Sequence, residues 1–229
     1  MSSHATTVNC LGDSITAGYW QEASIMWPAR MQAALGSTFN VTAFAKAGTC
    51  ATKGSDAPFW DTQEAEEAKA NPAAITLIML GTNDAKEGNW KSDEAFVSEL
   101  TALINEHKGT QRTIVMTPPP AHGEGISGLS IINGSLHKLV RKAVQNVEEC
   151  ELCDVRGAFS SASRGPTDFL DGVHPNEYGQ AIIARAAAAV ITNNPRVAAR
   201  PIPSFMIGGG GEDNKGTIDG ADGSMCVVS

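Results

Sequence analysis

The stretch Ile75-Thr76-Leu77-Ile78-Met79-Leu80-Gly81-Thr82-Asn83-Asp84 decides the fold. A β-branched, apolar run of strand length ends at a glycine and passes into a polar loop. The same event recurs at residues 7–11, 39–44, 113–117 and 152–155, with helical patterns between the runs. Such alternation implies an α/β chain: a three-layer α/β/α sandwich around a mostly parallel five-stranded sheet. The helical segments keep the expected period. Phe96, Leu100, Leu103 and Ile104 form one stripe, and Ile132, Leu136, Leu139, Ala143 and Val147 form another. Ser92, with Asp93 and Glu94, reads as a helix start, and Asn176 as the cap of a last helix running to Ile191.

In this architecture, functional loops leave the carboxyl ends of the strands. Ser14 follows the first run, Gly48 the second and Asn83 the third. Pro118-Pro119-Pro120 follows the fourth, while Asp171 and His174 precede the last helix.

The bulk properties narrow the function. A chain of 229 residues, 42% hydrophobic and 18% charged, suits one catalytic domain. A net charge of -8 supplies no basic field for nucleic acid, so no nucleic-acid partner is expected. The start of the chain has neither a cationic segment nor an apolar run, which predicts a cytoplasmic protein without a cleavable leader. The longest apolar stretch, residues 181–191, is interrupted by Arg185 and is too short to cross a bilayer. Five cysteines without a dense framework suit a reducing compartment. Cys150 and Cys153 form a lone C-x-x-C with no second pair to complete a metal site, and they read as buried structural thiols.

Residues 1–200 read as the catalytic domain and residues 201–229 as a flexible Gly-rich, acidic tail. Its last residues, Cys226-Val227-Val228-Ser229, match a C-a-a-X box of the farnesylated kind. A single lipid on Cys226, with no polybasic neighbour, predicts weak and reversible attachment to the cytoplasmic face of a membrane.

The chemistry is concentrated in three short blocks. Acyl transfer by serine needs a hydroxyl, a base and a carboxylate that fixes the base's tautomer. Gly12-Asp13-Ser14-Ile15-Thr16 supplies the hydroxyl, and Asp171-Gly172-Val173-His174-Pro175 supplies the other two on one loop. A lone Gly-Asp-Ser is usually a turn and a lone His usually structural. The other histidines make the contrast: three residues before His4, His107, His122 and His137 stand Met1, Ile104, Pro119 and Gly134. Asp13 and Asp84 read as loop organisers.

On these blocks, together with Gly81-Thr82-Asn83-Asp84, the chain resembles the GDSL family of esterases and lipases, of the SGNH hydrolase superfamily, over residues 7 to about 192. The resemblance implies a flavodoxin-like hydrolase with Ser14 as nucleophile, His174 as base and Asp171 as orienting acid. It implies an oxyanion hole from the Ser14 and Gly48 backbone amides and the Asn83 side chain. No metal or organic cofactor is implied. In the second block the chain departs from the family, with Ala43 and Ala45 where Asn and Gly are usual, which implies altered loop packing around a retained donor at Gly48.

The implied reaction is hydrolysis of a small-molecule carboxylic ester. The stretches Met79 through Trp90 and Trp27-Pro28-Ala29-Arg30-Met31 resemble carbohydrate esterases of that family, which implies a short acyl group, acetyl above all, on a polar alcohol. The alternatives are a membrane-tethered lysophospholipase or thioesterase, an acyltransferase using the same three residues and, last, a silent binding protein. His122 reads either as a cleft residue or as an exposed loop histidine. Trp20, Trp60 and Trp90 read either as walls for a sugar or as core.

Overall fold

The structure is a computed structural model that describes residues 5–193. Five strands, β1 (Thr6–Gly12), β2 (Phe39–Ala45), β3 (Ile75–Met79), β4 (Arg112–Met116) and β5 (Cys150–Cys153), form one sheet in the order β2-β1-β3-β4-β5. Every neighbouring pair is parallel, so the expected sheet is parallel throughout. The helices are α1 (Ser14–Ala17), α2 (Trp27–Leu35), α3 (Gln63–Ala70), α4 (Asp93–Glu106), α5 (Leu129–Gly134), α6 (Leu136–Gln145), α7 (Val155–Ala162) and α8 (Glu177–Ile191). The proposed tail and Cys226 lie outside the described residues, among which no helix is long and apolar enough to cross a membrane.

Strand alternation builds the three layers. Leu11, Ile78 and Val115 face one side, where they meet Phe96 and Leu100 of α4 and Leu136 and Val140 of α6. Cys10, Leu77, Met79, Ile114 and Met116 face the other, against Trp27, Met31 and the apolar side chains of α8. Residues 179–189 of α8 are buried on every side. This accounts for the apolar stretch at residues 181–191: an Ala-rich helix can lie close against both the sheet and its neighbouring helices.

Several boundaries carry their own reasons. The Ser92 hydroxyl accepts from the Ala95 N–H at 3.1 Å, and the Asn176 side chain accepts from the Tyr178 and Gly179 N–H groups. The second predicted stripe is buried as expected, but it is split between α5 and α6 by a turn at Ser135. The fifth strand sits two residues earlier than residues 152–155. Asp154 ends it by capping α7 through the Gly157 N–H at 3.0 Å, which draws Val155 into the helix despite its β-branched side chain.

Cys150 and Cys153 are three apart on β5 and so point to opposite faces. Cys150 packs against the core on one side of the sheet and Cys153 lies in the core on the other. Burial pushes their thiols up to about 11 and about 12, which suits inert structural groups rather than a redox pair.

At the opposite end of the sheet from the loops that matter here, His107 closes α4. It is buried beside Phe59, and its Nε2 has no hydrogen-bond partner. Burial, reinforced by the Lys69 charge, pushes its pKa down to about 4. Below its ordinary value the unfolded chain takes up a proton that the folded chain refuses, so His107 lowers stability as pH falls from about 6.5 toward 4. The raised carboxyl of Asp13 acts in the opposite direction, so the clean measurement is a difference. His107→Leu is expected to flatten the acid side of the urea-unfolding midpoint relative to the unsubstituted protein. Parallel profiles between pH 6.5 and 4 would refute this account.

Candidate active site

The strand order puts the first three loops side by side. Because β1 lies between β2 and β3, the loops carrying Ser14, Gly48 and Asn83 leave adjacent carboxyl ends, at the point where the chain reverses its direction of travel across the sheet. Ser14 opens α1 and is buried. Asp13 holds that turn, its Oδ1 accepting from the Ile15 N–H at 2.9 Å. Gly12 is required by contact: a Cβ there would lie 2.2 Å from Thr16 Oγ1. Gly48 has a φ of +85°, a setting that favours glycine.

His174 lies 160 positions further along the chain than Ser14. Its Nε2 lies 2.9 Å from Ser14 Oγ, and its Nδ1 lies 2.7 Å from Asp171 Oδ2. The carboxylate therefore accepts a hydrogen bond from Nδ1–H, which fixes the tautomer that leaves the Nε2 lone pair facing the Ser14 hydroxyl. The other Asp171 oxygen, Oδ1, accepts from the backbone N–H groups of Val173 and His174 at 3.0 and 2.8 Å. Burial pushes the Asp171 carboxyl up, but these amides and the imidazole outweigh it and hold the group below the usual carboxylate range.

Three contacts set this loop against the rest of the chain. The Gly172 carbonyl accepts from the His122 N–H at 2.7 Å, at a φ of +87° and with so close an approach that a Cβ on residue 172 would strike the His122 carbonyl oxygen. Arg30, itself buried, pairs with Glu177 at 2.6 Å. Gln180 in the first turns of α8 is the third: its Oε1 accepts from the Trp27 N–H at 3.0 Å and its Nε2 donates to the Ile15 carbonyl at 3.2 Å. Met26, at the N-cap of α2, makes no side-chain cap, so Gln180 performs that task from another helix.

The loops after β1, β2 and β3 are joined by a polar cluster. Asn83 Nδ2 donates to the Thr49 carbonyl at 3.1 Å and meets Asp13 Oδ2 only at 3.5 Å, so one amide hydrogen is held weakly. Asp84 accepts from the Ala51 and Thr52 N–H groups, both at 2.9 Å, and Asn89 exchanges bonds with Asp56 at 2.8 and 3.0 Å. Asn89 also donates to the Asn83 carbonyl at 3.1 Å. These clamps hold the loop after β2 without polar side chains at Ala43 and Ala45, the positions where the second block departs from its pattern. Burial, with the Asp84 charge adding to it, pushes the Asp13 carboxyl up to about 7, and burial likewise raises Asp84. Both act as loop organisers.

The remaining candidates separate cleanly. His122 sets its ring edge against Phe169, 4.9 Å between centroids, and acts through its backbone on Gly172. Trp90 stacks on Phe96, and Trp60 donates to the Ala51 carbonyl at 2.8 Å beneath the Lys53 ammonium. Trp20 is open to solvent. Tyr19, not singled out in the sequence, stacks on the His174 ring with centroids 4.2 Å apart. Gln180 and Asn89 were likewise silent, since a glutamine in an Ala-rich helix and an asparagine in a loop look solvated when read alone.

A family model, the GDSL-like lipase/acylhydrolase family, matches residues 10–182. An acetylxylan esterase of Xylanibacter ruminicola is 27% identical over 211 residues, covering 82% of this chain and 43% of that protein, so the chain spans less than half of that relative's length. Among solved structures, a carbohydrate acetylesterase from Sinorhizobium meliloti superposes with a TM-score of 0.68 at 18% identity, covering 82% of this chain and 99% of the other. The M. smegmatis aryl esterase does so with a TM-score of 0.63 at 17% identity, covering 82% and 99%. At these identities the two structures establish a shared fold.

Gln180→Leu keeps the side-chain volume roughly but strands the Trp27 N–H and the Ile15 carbonyl. Each unpaired buried group costs about 1–3 kcal/mol, so urea unfolding is expected to show a loss of that order for each. An unchanged midpoint would show that Gln180 does not tie α8 to α1 and α2.

Proposed function

This chain belongs to the GDSL-like lipase/acylhydrolase family, and we propose that it is a serine esterase cleaving short acyl esters, acetyl above all, from carbohydrate alcohols. The observation that carries the reading is the continuous contact from Ser14 Oγ through His174 to Asp171, at 2.9 and 2.7 Å.

In the proposed reaction, Ser14 Oγ attacks the ester carbonyl while His174 Nε2 takes the hydroxyl proton. Asp171 holds the imidazole in the required tautomer and stabilises it once charged. The carbonyl oxygen becomes an oxyanion, received by the Ser14 and Gly48 backbone amides and by the weakly held Asn83 amide hydrogen. Such donors, fixed before the reaction, are worth about 3–4 kcal/mol each. His174 returns its proton to the leaving alcohol, and water repeats the sequence on the acyl-enzyme. Two observations favour an acetylated carbohydrate: the acetylxylan esterase likeness and the polar cluster of Asn83, Asp13 and Thr49 beside Ser14.

The test is hydrolysis of p-nitrophenyl acetate, butyrate and octanoate, with mass spectrometry for an acyl adduct. Acetate is expected to be the best of the three. Ser14→Ala is expected to remove both turnover and adduct with an unchanged melting temperature. Turnover retained by that variant would overturn the nucleophile assignment. Asn83→Ala is expected to lower kcat about 10²–10³-fold with little change in KM, as loss of a group that acts in the transition state requires.

A further inference from the structure

Trp20 is 81% exposed and has a φ of +54°, a backbone setting that bulky residues rarely adopt. An indole left in water also forgoes the large gain that its burial would bring. Trp20 carries both costs a few residues from Ser14. The other large apolar side chain that is strongly exposed among the described residues, Leu170, stands next to Asp171. A bulky aromatic held in water at a backbone setting that disfavours it, beside a candidate reactive site, marks a face that a ligand can cover.

The ring geometry gives a direction. Tyr19 lies on the His174 ring at a 20° interplanar angle, and Trp20 lies against Tyr19 with centroids 4.3 Å apart and 32° between planes. With the acyl carbon at Ser14 Oγ, the oxygen of the leaving alcohol must lie within reach of His174 Nε2, which protonates it. The alcohol therefore departs on the imidazole side. Tyr19 stacks on that same imidazole, and the exposed Trp20 follows it in the stack. Trp60 and Trp90, engaged with Lys53 and Phe96, offer no comparable open face.

We propose that the open face of Trp20 is a subsite for the sugar ring that carries the acyl group, an inference that rests on the esterase reading of Ser14, His174 and Asp171. The C–H face of a pyranose is flat and weakly polar and matches one indole face, while its hydroxyls stay in water. A long acyl chain gains instead from an enclosed apolar channel, and this platform is open on one side.

The experiment compares an acetylated methyl xyloside with ethyl acetate, whose leaving alcohol is too short to reach Trp20, and with p-nitrophenyl octanoate. Trp20→Ala is expected to raise KM for the xyloside about tenfold, with kcat little changed, and to leave kcat/KM for ethyl acetate within about twofold. Trp20→Tyr, which retains a ring, is expected to recover most of the loss. An equal effect on xyloside and ethyl acetate would mean that Trp20 acts only through Tyr19 and His174, and would overturn the subsite. So would no effect on either, or an effect confined to the octanoate, which would make the ring a wall for acyl chains. If the unsubstituted protein cleaves ethyl acetate but not the xyloside, the subsite falls while the esterase reading stands. If it cleaves none of the esters, the esterase reading itself falls.

Discussion

The side-chain amide of Gln180 accepts from the Trp27 backbone and donates to the Ile15 carbonyl, and so joins the start of α8 to α1 and α2 in the buried interior. Ser14 begins α1 and His174 lies just ahead of α8, so this one group governs the approach of two residues 160 positions apart. A hydroxyl–imidazole contact at 2.9 Å tolerates little displacement, because the bond weakens steeply with distance and angle. The Arg30–Glu177 pair and the Gly172 carbonyl add further points of attachment. The Ser14–His174 contact is thus held by partners in α1, α2 and α8, with the Asp171–His174 loop leading into α8.

The other half of the site rests on buried acids. Asp13 and Asp84 are both kept out of water, and burial raises both carboxyls. Each is compensated locally, Asp13 by the Ile15 N–H and Asp84 by two amides of the loop after β2. Removing either acceptor would leave those donors unpaired in the interior, so the carboxylates are retained as scaffolding at a cost in stability. Asp13 also faces Asn83 Nδ2, at 3.5 Å. Burial, with the Asp84 charge adding to it, raises the Asp13 carboxyl and so favours its neutral form in the interior.

The fold and the contact of Ser14, His174 and Asp171 were legible because their signals are local. Strand runs such as residues 75–80 declare themselves by composition, and Asp171 and His174 share one short loop whose backbone amides bind the same carboxylate. Ser92 and Asn176 cap helices with side chains that reach only two or three residues ahead. What stayed hidden depends on distant partners. Gln180 looks like a solvated helix residue until α2 is packed against it, and Tyr19 is an ordinary aromatic until His174 lies under it. The displaced fifth strand is the same lesson on a small scale. Val155 favours a strand by shape, and the cap offered by Asp154 outweighs that preference only in the folded chain.

The substitutions at Ala43 and Ala45 are tolerable for a related reason. Both lie at the end of β2, an edge strand that pairs only with β1, and Ala43 stands opposite Cys10 and Ala45 opposite Gly12 in the ladder. Their backbone bonds need no side chain. The loop beyond them is anchored by the Lys46 N–H on the Gly12 carbonyl, by Asp84 on Ala51 and Thr52, and by Asn83 on the Thr49 carbonyl. The residues that brace Gly48 therefore belong mostly to the loop after β3, the same loop that carries the Asn83 amide. The two donors assigned to the oxyanion in the proposed reaction are then braced by a single polar network, so a disturbance of Asn83 displaces its own amide and loosens the loop that carries Gly48. Their contributions are coupled for that reason, and the loss from removing both would be smaller than the sum of the separate losses.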